Sequence, residues 1–436
     1  MPRIQLILIG ISLFFTPTID AAEWLILEDL QLIDGTGSPP RHHARMVIRE
    51  GRIIALQQKA GDDPAVSAAA YDAVTRINLA GAWVIPGLID THVHVARFPD
   101  ARNEAERILR LAISGGVTSV RDLGGDARSL ADLSRALGRG EWIGPTIAYS
   151  AVYGGLSLFD DERISGFARG YDLGQSPWAY AVDAETNLEQ AIAASRGSGV
   201  HGVKIYGNLP AALTTTIIQA AKAQGLQSWA HATVFPSGPL DLVEAGVNSL
   251  SHAAYLVWAA VDEIPDDYSA RIKGPWTEIA ADHPRLIALY QQMAARQVSL
   301  DATLYVYEQM KNFSPQVDAS WTGEAAAWGA QAVAAAHAHG VAITTGTDWF
   351  EPRPGELPHT HDEMALLVEK AGLAPMEAIV AATRNGAHAL GIAEQRGTLE
   401  VGKAADLLVL EENPLTDISH TRHFKLVVKD GQLIRP

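Results

Sequence analysis

Cysteine is absent from all 436 residues of the chain. This absence excludes disulfide bonds, thiolate metal ligands and an N-terminal cysteine that could carry a lipid. Basic residues are also few, because 34 Lys and Arg stand against 50 Asp and Glu, which gives a formal net charge of −16. Nucleic acids and anionic membranes are bound through basic faces. The charge therefore argues against both as partners.

Long apolar runs are scarce, and the one at the N-terminus has a distinct pattern. Arg3 precedes an apolar segment from Ile4 to Phe15, and Thr16-Pro17 and small residues follow up to Ala22. This order is typical of a secretory signal peptide, and the segment is short for a transmembrane helix, although an uncleaved anchor stays open. We expect residues 1–22 to be a signal peptide, and the mature protein to be periplasmic or secreted without stable membrane insertion.

Both ends of the chain carry β-like alternation of apolar and polar residues with turn residues between the runs. The clearest examples are Ala44–Leu56, Asp406–Leu410 and Lys425–Ile434. Because the two groups are separated by the whole middle of the chain, we expect residues 23–82 and 396–436 to form one small composite β-sandwich domain.

Between these ends, strand-like and helix-like segments alternate, as in Ala211–Gln224 and Pro284–Gln297, which have helical periodicity. Eight such units predict an α/β fold, a (β/α)8 TIM-like barrel over residues 83–395. The strand candidates end near His94, Asp122, Ala151, Tyr206, His231, His252, Thr303 and Asp348.

The pair His92-x-His94 ends an apolar run that begins at Gly81. On a strand these two imidazoles point the same way, about 7 Å apart, which suits two ligands of one metal ion. The pair His337-x-His339 lies in a helix-like stretch where positions i and i+2 diverge, so we interpret it as a surface pair. The pair His359-x-His361 follows a proline in a loop, and both interpretations stay open for it.

Further candidate ligands end other strand-like segments, at Lys204, His231, His252 and Asp348. A single strand-end His or Lys is usually solvated or hydrogen-bonded, but this ordered set falls on the face where barrel enzymes place their chemistry. Imidazole and carboxylate ligands suit zinc and tolerate other divalent metals.

These residues and four phrases resemble the amidohydrolase superfamily, in particular its imidazolonepropionase-related and prolidase-related members. The phrases are PGLIDTHVH, GVTSVRDLGG, GVKIY and GKAADLLVL, and the resemblance runs from about Glu23 to the C-terminus. It implies two zinc ions in the barrel. The first ion would be held by His92, His94 and Asp348, the second by His231 and His252, and a carbamylated Lys204 would bridge them. An ion pair between Lys204 and Asp348 is the alternative for a buried lysine.

The resemblance also implies hydrolysis of an amide bond by a hydroxide that the two ions share, with Asp348 as the proton shuttle. No histidine ends the third strand, so Tyr153 and Tyr206 are the candidates that polarise the carbonyl. Candidate substrate-binding residues beyond these two tyrosines are Tyr255, Arg353 and His361, with Arg121 ranked below them.

Long loops after the third, sixth and seventh strands are rich in aromatic residues, which indicates a substrate with an apolar part. We expect a small amide or peptide such as a dipeptide or an N-acyl amino acid. Opening of a cyclic amide or a lactone is the nearest alternative, and a non-catalytic binding barrel is a remote one. A homo-oligomer is possible, because the sequence leaves the oligomeric state open.

Overall fold

A computed structural model describes residues 24–57, 74–97, 102–161, 164, 166–310, 320–348 and 355–435. The expected signal peptide and Arg353 lie outside these residues. Within them, eighteen strands form one sheet of eight and one sheet of ten. The strands are β1 (Trp24–Leu32), β2 (Arg41–Arg49), β3 (Arg52–Gln57), β4 (Val74–Asn78), β5 (Trp83–Pro86), β6 (Leu88–Val93), β7 (Val117–Asp122), β8 (Thr146–Gly154), β9 (Gln175–Ser176), β10 (Ala179–Ala181), β11 (Gly202–Ile205), β12 (Gln227–His231), β13 (Ser249–Ser251), β14 (Ser299–Asp301), β15 (Ile343–Thr344), β16 (Leu407–Leu410), β17 (Phe424–Lys429) and β18 (Gln432–Ile434).

Strands from both ends of the chain share the eight-stranded sheet, in the order β18-β17-β16-β5-β1-β2-β3, with β4 paired to β1. Strand β16 lies between β17 and β5, so C-terminal and N-terminal strands are direct neighbours. Strand β5, which the sequence analysis placed in the barrel segment, pairs with β1 and β16 in this sheet. Strands from both ends of the chain therefore share one hydrogen-bonded sheet, and the bounds of the predicted β-sandwich domain stay a prediction.

Side-chain alternation along β16 explains how this sheet attaches to the rest of the protein. Leu407 and Val409 pack into the core of the terminal domain, whereas Leu408 and Leu410 pack into the main core of the barrel. Successive residues of a strand face opposite sides, so a strand buried on both sides reads as a continuous apolar run. Leu408 packs so closely on Gly116 that a Cβ there would overlap its side chain.

The remaining large sheet is the predicted barrel, with eight parallel strands in the order β6-β7-β8-β11-β12-β13-β14-β15. The amide of Thr91 donates to the carbonyl oxygen of Thr345 at 2.8 Å, which joins the first strand to the segment after the last. The short strands β9 and β10 extend the sheet beside β8. The (β/α)8 fold class is therefore confirmed.

Helices alternate with the barrel strands, and local chemistry sets where several begin. The side chain of Asp126 accepts from the amide of Arg128 and caps one helix, and Pro284 begins another. Among the described residues no helix has both the length and the apolar character to cross a bilayer. The α-helices are α1 (Arg102–Ser114), α2 (Ala127–Gly138), α3 (Leu188–Gly197), α4 (Ala211–Ala223), α5 (Pro239–Ala245), α6 (Pro284–Ala295), α7 (Leu304–Met310), α8 (Ser320–Ala338), α9 (Thr360–Glu369), α10 (Pro375–Val380) and α11 (Gly386–Leu390), with a π-helical turn at Ala381–Asn385.

Short 3₁₀ helices shape the long loops at the C-terminal face of the barrel. After β13 the chain forms two of them, Ala253–Ala260 and Tyr268–Lys273, and after β14 it forms helix α7. The predicted surface pair lies elsewhere, since His337 contacts Glu377 at 2.9 Å and His339 bonds the carbonyl of Ala335.

A buried charge cluster joins the terminal domain to the barrel. The ammonium of Lys429 on β17 donates to Asp406 at 3.0 Å and to Thr146 at the start of β8 at 3.1 Å. Arg396 also donates to Asp406, and both Lys429 and Asp406 are 4% exposed. Asp406 therefore neutralises two cations at the junction of the two domains.

We expect Asp406→Asn to lower the free energy of unfolding by about 1.5–3 kcal/mol, because it removes charge-assisted hydrogen bonds from buried cations that keep only Asp430 as a carboxylate partner. The matched control is Asp262→Asn, which breaks an ion pair with Arg285 whose carboxylate is 91% exposed. That change should cost less than about 1 kcal/mol. Urea unfolding of both variants measures the difference, and equal losses would contradict a special role for Asp406.

Candidate metal centre

The barrel gathers the predicted ligands at the C-terminal ends of its strands. His92, Lys204 and His231 lie on β6, β11 and β12, and His252 and Asp348 come shortly after β13 and β15. Both of these loop residues have positive backbone φ angles, 71° for His252 and 49° for Asp348. Non-glycine residues rarely adopt this conformation, and it is concentrated at functional sites.

Asp348 is the centre of the cluster. Its carboxylate lies 3.1 Å from Nε2 of His94, 3.5 Å from Nε2 of His92 and 3.9 Å from Nε2 of His252. The ring centroids of His92 and His252 are 5.0 Å apart, and those of His252 and His231 are 4.8 Å apart. One face of the barrel thus holds three imidazoles around one carboxylate, and a fourth imidazole, that of His231, packs beside His252.

Two of the imidazoles are oriented by backbone carbonyl groups. Nδ1 of His94 bonds the carbonyl oxygen of Gly124 at 2.8 Å, and Nδ1 of His231 bonds that of Tyr206 at 2.7 Å. A carbonyl oxygen only accepts hydrogen bonds, so Nδ1 carries the proton in both rings. The lone pair of each Nε2 is then available as a metal ligand.

The other two imidazoles are oriented by side chains at the end of β14, which sequence reasoning missed. Nδ1 of His92 donates to Asp301 Oδ2 at 2.7 Å, and Nδ1 of His252 lies 3.0 Å from Thr303 Oγ1. Asp301 ends its strand as the predicted ligands end theirs, which is the signal that could have identified it. Burial opposes its ionisation, but His92 and Arg121 hold its pKa at about 2.

The chain after Thr303 is fixed by a buried carboxylate from another helix. Glu363 of α9 accepts from the amides of Leu304 and Tyr305 at 2.9 and 2.7 Å, at the start of α7. This pairing holds in place the segment that orients His92 and His252.

Lys204 is fully buried, and its Nζ has no hydrogen-bond partner among the residues that the structure describes. The ion pair with Asp348 is therefore not formed. Burial lowers the pKa of Lys204 to about 7. Burial also lowers the pKa values of His231 and His252 well below their usual range, so these imidazoles are neutral.

The donor set fits a divalent metal ion. One ligand atom each from His92, His94 and Asp348 lie within 4.8 Å of one another, and all are nitrogen or carboxylate oxygen. A second ion beside His231 and His252 would need further nitrogen or oxygen ligands. The Nε2 atoms of these two residues and the buried Lys204 side chain could supply them.

Tyr153 does not reach this cluster. Val152, its neighbour on β8, is the register partner of Lys204, so Tyr153 faces the opposite side of the sheet. Its hydroxyl bonds Ser195 Oγ at 2.7 Å, and its ring stacks on Tyr180. This placement corrects both the catalytic and the substrate-binding predictions for Tyr153.

Neither His361 nor Arg121 is placed to bind a substrate. His361 is buried, and its ring nitrogens bond Gly115 O at 2.9 Å and Thr421 Oγ1 at 3.0 Å, near the opposite end of β7. Arg121 is fully buried, donates to the carbonyl of Thr91 and lies over the ring of Trp229. The substrate-binding predictions for His361 and Arg121 are wrong because both side chains are buried and hydrogen-bonded within the protein.

An aromatic wall covers the His231 and His252 side of the centre; it consists of Tyr206, Tyr255, Tyr268 and Tyr307. The ring of Tyr206 is 4.2 Å from His231, and that of Tyr255 is 5.1 Å from His252. These two were predicted near the site. Tyr268 stacks on His231 at 5.2 Å, and Tyr307 is 6.3 Å from His252, and sequence reasoning assigned neither to the site.

Several known proteins are similar to this chain in sequence. The ochratoxinase of Aspergillus niger is 26% identical over 95% of this chain and 88% of its own length. An imidazolonepropionase of Maricaulis maris is 28% identical over 76% of this chain and 79% of its own.

Among solved structures, a Xaa-Pro dipeptidase with methionine bound in its active site has a TM-score of 0.74 at 22% identity. The structural match covers 95% of this chain and 100% of the dipeptidase chain. The A. niger ochratoxinase structure has a TM-score of 0.73 at 23% identity, with 95% and 96% covered. A family model for the amidohydrolases matches residues 83–434. The chain belongs to the amidohydrolase family.

Proposed function

We propose that this hydrolase cleaves the amide bond of a small substrate, such as a dipeptide or an N-acyl amino acid, with two divalent metal ions, zinc first among them. The observation that carries the proposal is the convergence of the Nε2 atoms of His92, His94 and His252 on Asp348, with His231 packed against His252 and a buried lysine amine that has no hydrogen-bond partner among the described residues. The similarity of the fold to a Xaa-Pro dipeptidase supports the same class of substrate.

In this proposal His92, His94 and Asp348 hold one ion, and His231 and His252 hold the other. Lys204 stands between the two groups. A protonated amine beside two divalent cations is strongly unfavourable, because like charges repel in a medium of low dielectric. Addition of the neutral amine nitrogen to carbon dioxide, with loss of one proton, would give a carbamate, whose anionic oxygen atoms suit divalent metal ions.

When bound, the two ions ionise a water near neutral pH and polarise the scissile carbonyl. Asp348 accepts the proton of the attacking water and delivers it to the leaving nitrogen, which is a poor leaving group until it is protonated. Burial opposes ionisation of Asp348, but His92, His94 and His252 hold its pKa far below the usual range. The carboxylate is thus ionised before each cycle.

The aromatic wall supports a substrate with an apolar part. Tyr206 keeps partial exposure beside His231, whereas Tyr255, Tyr268 and Tyr307 are 3%, 7% and 2% exposed. Tyr206 is therefore the candidate that contacts the substrate and polarises its carbonyl, and Tyr255 is a second candidate for substrate contact.

The function is tested by a screen of the zinc-loaded protein against dipeptides, N-acyl amino acids, cyclic amides and lactones. We expect hydrolysis of at least one linear amide, and Asp348→Asn should lower kcat by about a hundredfold or more because the amide cannot accept a proton. Turnover of cyclic substrates alone would favour the ring-opening alternative. Absence of all turnover by the loaded protein would favour a binding barrel.

We expect Lys204→Ala to reduce bound metal from about two ions to one or fewer and to abolish hydrolysis. Acetate or formate should restore part of both, since a small carboxylate can take the bridging position. Lys222→Ala, on an exposed position of α4, is the control that removes a lysine without touching the centre. Elemental analysis measures the metal, and full occupancy in Lys204→Ala would exclude the bridge.

Substitutions at the end of β14 should affect the two proposed metal sites separately. Asp301→Asn should weaken the site that includes His92 by about 10- to 100-fold, and Thr303→Val should weaken the site that includes His252 in the same range. Thr303→Ser retains the hydroxyl and should bind metal as the parent does. Stepwise zinc titration distinguishes the two losses, and unchanged affinities in both variants would show that these contacts do not orient the ligands.

A further inference from the structure

The hydroxyl of Tyr307 is another polar group beside the centre that has no hydrogen-bond partner among the described residues. The side chain is 2% exposed, and its hydroxyl oxygen is the one tyrosine oxygen in the described part of the chain that is buried without a hydrogen bond. Other buried tyrosines are paired, as Tyr153 is with Ser195 and Tyr290 with the carbonyl of Ala281. A buried hydroxyl without a partner costs free energy, so this one indicates a ligand that supplies the partner.

Tyr307 lies on α7, shortly after the strand end that orients two of the histidines. Four residues earlier, the hydroxyl of Thr303 lies 3.0 Å from Nδ1 of His252. Glu363 fixes the first turn of α7, because its carboxylate accepts from two backbone amides there. The same segment therefore positions a proposed metal ligand and the Tyr307 side chain.

Three aromatic rings surround the ring of Tyr307 edge to face. Its centroid is 6.3 Å from that of His252, 6.3 Å from that of Tyr255 and 6.2 Å from that of Trp321, at interplanar angles between 80° and 89°. Trp321 in turn stacks on Trp276 at 5.8 Å. Edge-to-face packing restricts the orientation of a ring. The direction of the hydroxyl is therefore set before a substrate binds.

The hydroxyl of Tyr307 is a hydrogen-bond donor at neutral pH. Burial raises its pKa well above the usual range, and the negative charge of Asp348 raises that pKa further. The hydroxyl of Tyr255 opposes this rise but does not complete a hydrogen bond with Tyr307. The donor therefore lies within the electrostatic reach of the carboxylate in the middle of the centre.

We propose that Tyr307 is a further catalytic residue, whose hydroxyl donates a hydrogen bond to the oxygen of the scissile carbonyl. This inference rests on the proposed amide hydrolysis, and it adds a donor on the His252 side to Tyr206 on the His231 side. When the oxygen of the attacking water bonds to the carbonyl carbon, the electron pair of the C=O double bond moves to the carbonyl oxygen. When that double bond forms again, the C–N bond breaks and the nitrogen takes the proton held by Asp348.

The proposed hydrogen bond becomes stronger as the reaction proceeds. A neutral carbonyl oxygen is a modest acceptor, whereas the oxygen of the tetrahedral intermediate carries negative charge and is a strong one. A donor with a fixed direction, in a wall that excludes water, interacts strongly with such a charge. Tyr307 should therefore bind the transition state more tightly than it binds the substrate.

Urea unfolding distinguishes a hydroxyl that awaits a ligand from one that stabilises the fold. Tyr307→Phe should unfold at the urea midpoint of the parent or higher, because it removes a buried hydroxyl that has no hydrogen bond. Tyr290→Phe is the matched control, since it removes a buried hydroxyl of α6 that donates to the carbonyl of Ala281 at 3.1 Å. Its midpoint should fall, and its kcat should stay at the parental value.

Calorimetry on the zinc-loaded full chain measures binding of N-(methylphosphonyl)-L-phenylalanine, whose tetrahedral phosphonate resembles the intermediate, and it requires no turnover. We expect Tyr307→Phe to weaken this binding by about 100-fold, the effect of removing one donor to the oxyanion. Elemental analysis should find parental zinc in the variant. With an amide that the parent hydrolyses, kcat should fall by about the same factor while KM changes little.

Four results would overturn the assignment of Tyr307. These are a urea midpoint that falls as in Tyr290→Phe, loss of zinc from Tyr307→Phe, a phosphonate affinity that is unchanged in Tyr307→Phe, and no phosphonate binding by the parent. If phosphonate binding depends on Tyr307 but the screen finds no hydrolysed amide, the donor stands and the proposed function fails. If Tyr307→Phe hydrolyses amides with the parental kcat, the proposed function stands and the donor fails.

Discussion

Each imidazole at the top of the barrel is held through its Nδ1, and the chemistry of the centre depends on that constraint. The hydrogen-bond partners of Nδ1 are the carbonyls of Gly124 and Tyr206, the carboxylate of Asp301 and the hydroxyl of Thr303. Because these partners lie outside the cluster, every Nε2 faces inward. The same bonds set the ring orientation, which a metal ion needs before it arrives.

The hydrogen bonds that close the barrel also position the residues of the centre. The amide of Asp348 donates to the carbonyl of His92 at 2.9 Å, so the bond that joins the last strand segment to the first also places two predicted ligands. Below them, the buried side chain of Asp90 accepts from the amides of His92 and Thr347 and from the hydroxyl of Thr360. Opening of the barrel between its first and last strands would therefore break the hydrogen bond between His92 and Asp348.

The sequence was most informative where strand ends carry the chemistry. The apolar runs that end at His92-x-His94, Lys204, His231 and Asp348 predicted both the barrel and the cluster, because parallel strands bring their C-terminal ends to one face. The prediction for Tyr153 was wrong because side chains alternate along β8, and Val152, not Tyr153, faces the same side of the sheet as Lys204. Tyr268 was not found at all, because a loop residue is positioned by tertiary contacts, here its stacking on the ring of His231, and loop conformation has no period that a sequence displays.

The buried amine of Lys204 connects the two proposed features of the centre, the metal ions and the carbamate. A buried polar atom without a hydrogen bond costs free energy, and nothing in the described residues around Lys204 offers one. A protein retains such a group when a ligand or a modification supplies the missing partner. Neutral imidazoles, an ionised Asp348 and an amine with a pKa near 7 together form a site that lacks only positive charge. The proposed metal ions and the carbamate satisfy these groups together, so we expect neither to be stable without the other.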